Sequence, residues 1–243
     1  MWADALLISV GSLVAAFCAS IAGFAFVLVG AALLLQFLSP TLVAPVLVMG
    51  SLIVQGIGSY AVRAHIPWPR LWLHVGAASV GLPFGLAVLA LGSTRGIVAG
   101  VGLMLVLYAG YTLARIALRL SPPVVRATRG RDAAIGVAAG VLGGIGGYVG
   151  ALPAMWADVQ AMPPQDTRAL MQPFIAIMQA LTIIGLAFTG FFTREAILLT
   201  ATAVPALLLG TWFGLRAGKR LPAQGFRLVL LSLMLVSGIS LLI

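Results

Sequence analysis

The side chains able to do chemistry in this chain are few. Asp158 and Arg168 flank the turn Met162-Pro163-Pro164-Gln165. Ionisable groups at membrane depth are costly and tend to be functional. Arg168 is therefore read as attracting an anion, and Asp158 as a proton-responsive group or a limit on anion entry. The alternative is a salt bridge that shapes a loop, with Asp166 competing for the same arginine. Gln55, Gln172 and Gln179 are uncharged amides inside apolar stretches. A buried amide without a partner costs several kcal/mol, so each must bond a neighbouring helix, water or a substrate. Pro173 follows Gln172 and loosens the local backbone ladder. Of the two histidines, His65 reads as a solvated loop residue. His74, one turn inside a helical stretch, is expected to reach the membrane interface.

Other chemistries lack their parts. The sequence has no His/Cys/carboxylate cluster at metal-ligand spacing, no Gly-Lys-Ser/Thr phosphate loop and no Ser/His/Asp set. No cofactor and no catalytic residue is expected, and an enzyme is not the expected reading. The single cysteine, Cys18, forms no disulfide framework within one chain.

The elements that must hold these groups are helices in lipid. Residues 5–62 carry no charged side chain, a run too long for one bilayer crossing and too apolar for a water-facing surface. The 243-residue chain is 62% hydrophobic and 8% charged, with mean hydropathy +1.16, which excludes an ordinary soluble domain. Stretches such as Leu103-Met104-Leu105-Val106-Leu107 do not alternate, so a β-barrel is excluded too. The fold class is an all-α polytopic integral membrane protein. A net charge of +9 does not indicate nucleic acid, because the cations lie in connections between apolar runs, as the positive-inside rule produces. The lipid bilayer and a small anion are the expected partners, and a homo-oligomer is compatible with the sequence. Residues 1–22 lack a basic n-region, so no cleavable signal is expected.

Ten helical segments are expected: 5–21, 24–38, 41–62, 70–92, 96–119, 133–148, 150–162, 166–190, 194–217 and 222–243. The polar stretch 120–132 divides them into two repeats, 1–119 and 133–243, with the same order of long, short and three long segments. Echoes at similar offsets support a duplication: Ile21-Ala22-Gly23-Phe24 with Ile145-Gly146-Gly147-Tyr148, and Val54-Gln55-Gly56 with Met178-Gln179-Ala180. Arg115, Arg119, Arg126, Arg129 and Arg131 place the linker in the cytoplasm, and Arg168, Arg216, Lys219 and Arg220 join them if 133–148 and 150–162 form a hairpin. Five segments per half then require inverted repeats with both termini external, in the cell (inner) membrane.

The short segments 24–38 and 150–162 each follow glycines. Broken segments in matching positions are the best pointer to a transporter's central site, because an interrupted helix frees N–H groups that receive an anion. Gly143, Gly146 and Gly147 could expose such amides; close helix packing is the alternative use of these glycines.

At these residues the chain resembles the TauE/SafE-type sulfite exporter family of small permeases. The second half carries Gly143, Gly144, Gly146, Gly147 and Pro153, then Trp156, Arg168 and Gln172-Pro173-Phe174. The first half is similar to the family's Gly-Phe-Gly-Phe variant as Gly23-Phe24-Ala25-Phe26, with Ala25 in place of a glycine. The resemblance implies export of sulfite or an organosulfonate. A secondary transporter is therefore expected, with alternating access of two inverted halves and proton coupling as an option. An anion channel is the nearest alternative, and an intramembrane enzyme a more distant one.

Overall fold

Apolar runs of about twenty residues become helices because lipid offers no partner for a free N–H or C=O. The computed structural model describes residues 2–118, 120, 125–218 and 223–243; side chains at 189, 223–227, 229 and 230 are outside the description. Arg119, Lys219 and Arg220, counted above for orientation, also lie outside the described residues. The described helices are α1 Trp2–Ala22, α2 Phe26–Leu34, α3 Pro40–Val62, α4 Trp68–Leu91, α5 Thr94–Ala117, α6 Arg129–Gly146, α7 Ala151–Val159, α8 Pro164–Thr189, α9 Arg194–Ala217 and α10 Ala223–Leu242. No strand occurs among the described residues. Six spans, lying in α1, α3, α4, α5, α8 and α9, are long and apolar enough to cross a membrane, and large apolar side chains such as Phe84, Leu107 and Leu209 stay exposed on their outer faces. The chain is a multi-pass helical membrane protein.

Two boundaries differ from the sequence expectation in ways that matter. The first short helix is confined to Phe26–Leu34, and seven of those nine residues, with Ala25 before them, lie among the most buried apolar side chains. Helix α6 starts at Arg129 instead of 133 because the Thr128 hydroxyl accepts from the Arg131 N–H at 3.3 Å, a side-chain cap that turns the end of the polar stretch into helix.

Helices pair across the 120–132 stretch. In α4 and α6, Gly81 lies against Val137, and Gly85 against Val141 and Gly144, so the two run parallel. A Cβ at Gly140 would sit 1.9 Å from the Ala78 carbonyl oxygen; backbones this close admit no side chain. Helices α1 and α9 pair in the same way, Gly210 against Leu13 and Gly214 against Phe17. Helices α3 and α8 run antiparallel, since Gln179 bonds Ser51 while Gly58 abuts Gln172. Helices α5 and α10 also run antiparallel, with Gly102 against Leu241 and Leu105 against Gly238. Exchanging α1–α5 with α6–α10 maps this set of pairs onto itself.

Candidate functional site

Both sequence-predicted breaks are present. Helix α1 ends at Ala22 and the chain turns at Gly23, with φ +93°. Helix α6 ends at Gly146 and turns at Gly147, with φ +82°. Only glycine takes this left-handed conformation without penalty, and the two glycines are separated by the same interval as Gln55 and Gln179. A 3-10 turn at Tyr148–Gly150 leads into α7. Neither short helix has a side-chain cap: Ala25 precedes α2 and Gly150 precedes α7. The first-turn N–H groups of α2 are the orphan donors of a helix start; at α7 the Ala151 N–H already donates to the Tyr148 carbonyl of the preceding 3-10 turn, and Pro153 has no N–H to offer. The two breaks adjoin, because the Phe24 carbonyl oxygen is 3.5 Å from where a Cβ on Gly150 would lie. Phe24 also meets Tyr108 edge to face, with ring centroids 6.3 Å apart.

Different side chains seal the two α-helical ends. Arg168, in the second turn of α8, passes over Gly23 and donates from Nη2 to the Ile21 carbonyl, placing a cation at the negative end of α1. At the second break the Gln179 amide donates to the Gly147 carbonyl at 2.9 Å and to the Ser51 hydroxyl at 3.2 Å. Gly143 faces Val149, Gly146 faces the Tyr148 ring, and Pro153 is buried in the first turn of α7. These three residues shape the second break by packing, and the Gly147 N–H, expected to be open to an anion, closes the end of α6 by donating to the Gly143 carbonyl at 2.6 Å.

Beside the first break lies a small polar cavity of about 10 Å³, lined by Ser20 of α1, Gln55 and Gly58 of α3, Gln172 of α8, and Thr211 and Leu215 of α9, among others. That volume is about one water. Three buried polar atoms without a partner belong to its walls: Ser20 Oγ, Gln55 Nε2 and Gln172 Oε1. Their side chains are at most 7% exposed. Gln172 is one helical turn beyond Arg168, so the cation and the unpaired amide share a face of α8. Sequence reasoning singled out Gln55 and Gln172 and missed Ser20 and Thr211, which looked like ordinary small residues of apolar helices.

A second polar cluster joins His74 and Trp156 to Arg70, Asp132 and Gln160, to which the sequence reading gave no site role. Asp132, only 4% exposed, accepts from Arg70 Nε at 2.9 Å and Nη2 at 3.0 Å, and from the Trp156 indole N–H at 2.7 Å. Arg70 Nη2 also donates to Gln160 Oε1 at 2.6 Å. His74 does not reach an interface: it is 1% exposed, its Nδ1 is 2.9 Å from the Arg70 carbonyl oxygen, and its Nε2 is 4.0 Å from Asp132 Oδ1. The (i, i+4) spacing of Arg70 and His74, with an acid in the first turn after Thr128, was the available signal. Trp156, which the family resemblance singled out, gives its indole N–H to Asp132 and ties α7 to α6. Asp158 lies half-buried in the last turn of α7, the end away from the junction of the breaks. No group of three His, Cys, Asp or Glu among the described residues is placed to hold a metal ion.

Neither curated proteins nor solved structures returned a match to this chain. The family model described as sulfite exporter TauE/SafE matches residues 7–241, nearly its whole length. That span takes in both breaks, Arg168 and the polar cavity, and the chain belongs to the TauE/SafE sulfite exporter family of membrane transporters.

Proposed function

We propose that this protein is a secondary transporter that exports a small sulfur-containing anion, sulfite or an organosulfonate, by alternating access with proton coupling. The observation that carries the reading is the meeting of the two glycine breaks, with the uncapped start of α2 at Ala25–Phe26, beside Arg168 and a cavity with three unpaired polar atoms. Amides at a helix start favour an anion without burying a formal cation. Gln55 and Gln172 hold hydrogen-bonding capacity that the protein itself does not use, as a site filled only during turnover requires. Gly23, Phe24 and Gly147 position the junction, and Arg168 supplies the positive charge at its entrance. Gln179 holds the second break closed.

The two halves, 1–119 and 133–243, act as inverted repeats in this reading. Support comes from the antiparallel pairs α3/α8 and α5/α10, which join equivalent members of the two series. The positive-inside rule then puts the 120–132 stretch in the cytoplasm and both termini outside the cell membrane. With Cys18→Ser as background, a thiol at Ala127 should label from the cytoplasm and one at Ser93 from outside; labelling of both from one side rejects the topology.

The deciding experiment is flux in proteoliposomes with sulfite, a sulfonate, thiosulfate and a carboxylate control, run with and without a pH gradient. Saturable efflux of a sulfur anion, with counterflow of labelled substrate, is the expected result. Flux without counterflow identifies a channel. No flux of any anion removes the reading, and chemical alteration of sulfite by the purified protein would make it an enzyme.

A further inference from the structure

The tautomer of His74 follows from its partners. A backbone carbonyl only accepts, so the ring nitrogen 2.9 Å from the Arg70 oxygen, Nδ1, carries the hydrogen. In the neutral ring Nε2 is then a lone pair, and it faces Asp132 Oδ1 across 4.0 Å. Two acceptors confront each other there with no proton between them. The charged groups facing this imidazole are Arg70 on its own helix and Asp132 on α6. Helix α8 presents only the edge of Phe174, with ring centroids 5.9 Å apart. Helix α7 reaches the same carboxylate and guanidinium through Trp156 and Gln160.

We propose that His74 is the binding site of the coupling proton, and that Asp132 and Trp156 pass its arrival to α7. This rests on the transporter reading above. A proton from water adds to the Nε2 lone pair and makes that nitrogen a cationic donor aimed at Asp132 Oδ1. That oxygen already accepts from Arg70 Nη2 at 3.0 Å and Trp156 Nε1 at 2.7 Å. A carboxylate oxygen offers about two lone-pair sites, so a third donor displaces one of the first two. The neutral indole yields before the guanidinium, which is also held through Nε to the second oxygen at 2.9 Å. With its indole bond gone, α7 loses its tie to α6 near its C-terminal end, while its N-terminal end abuts the junction where the anion is received. Proton binding and anion binding are thereby linked through one short helix.

The test uses the full-length protein with Trp2, Trp68, Trp72 and Trp212 replaced by Phe, leaving Trp156 as the only indole. Its emission should change as the pH falls from about 8 to about 4.5, a window that reaches about two units below the ordinary imidazole value, and His74→Gln should abolish the change. An unchanged emission in the protein that keeps His74, or an equal change in H74Q, overturns the proposal. In proteoliposomes, H74Q and Trp156→Phe should each lose the dependence of sulfite efflux on an imposed pH gradient. Both variants see the same sulfite and hydrogen sulfite as the parent, so substrate protonation cancels from the comparison. A parent that passes no sulfite rejects the transporter reading, whereas a parent that transports beside an H74Q that keeps full pH dependence rejects His74 alone. If H74Q does not fold, the emission of the single-Trp156 parent and the flux of W156F still decide.

Discussion

The break at Gly23 and the break at Gly147 share a backbone and differ in everything around it. Both close a helix with a left-handed glycine and both open a nine-residue helix without a cap. The second is sealed by a neutral amide, Gln179, whose Nε2 is used and whose Oε1 has no partner, and its neighbouring groove of about 440 Å³ is lined mostly by apolar residues such as Val88, Ile97 and Met104. The first is covered by the long side chain of Arg168 and flanked by Ser20, Gln55 and Gln172 with unused polar atoms. The two breaks thus share a backbone device, while the cation and three of the four unpartnered polar atoms described beside them lie at the first. A satisfied polar group stabilises, and an unsatisfied one stays available for a ligand.

Four substitutions break or sharpen this contrast. Arg168→Met should have the largest effect. In the transporter reading it removes the charge-assisted bond that Arg168 would make to the anion, worth about 1.5–3 kcal/mol, which corresponds to a loss of roughly 10- to 100-fold in apparent sulfite affinity. Flux against concentration reads it, and full retention would detach Arg168 from the anion path. Gln179→Leu should come next, because it strands the Gly147 carbonyl in an apolar surround at about 1–3 kcal/mol, seen as a lowered unfolding temperature in detergent. Gly147→Ala forces a left-handed alanine at about 1–2 kcal/mol, and its methyl would lie 2.8 Å from Val48 Cγ2; an unshifted unfolding temperature would show that the turn relaxes. Gln55→Leu replaces a buried amide whose Nε2 has no partner, so it should cost less stability than Q179L yet lower flux. If Q55L instead destabilises the protein as much as Q179L, the two breaks are equivalent and the contrast fails.

The helices and their breaks were legible in the sequence because lipid imposes long apolar runs, and because Gly23 and Gly147 interrupt them at matching places. Gln55 and Gln172 were legible as polar residues without an evident partner. The Asp132 cluster was not. A polar first helical turn and a polar linker have the same composition, and only the Thr128 cap separates them. The partner of Trp156 was not legible either, because an aromatic residue after a glycine motif carries no sign of which neighbour will take its N–H. The convergence of Ser20, Gln55 and Gln172 needed three helices in place. Spacing along the chain says nothing of α1, α3 and α8 meeting at one level.

The glycine seams of α4 with α6 and of α1 with α9 carry a mechanical consequence. Each seam welds one helix from before the 120–132 stretch to one from after it, with backbone against backbone. The halves of the gene product therefore cannot swing apart as two jaws without tearing both welds. The two halves are therefore interlocked and not set side by side, and the antiparallel crossing of α3 and α8, where Gln172 and Gln179 sit, lies between the two seams, α8 against α4 and α3 against α9.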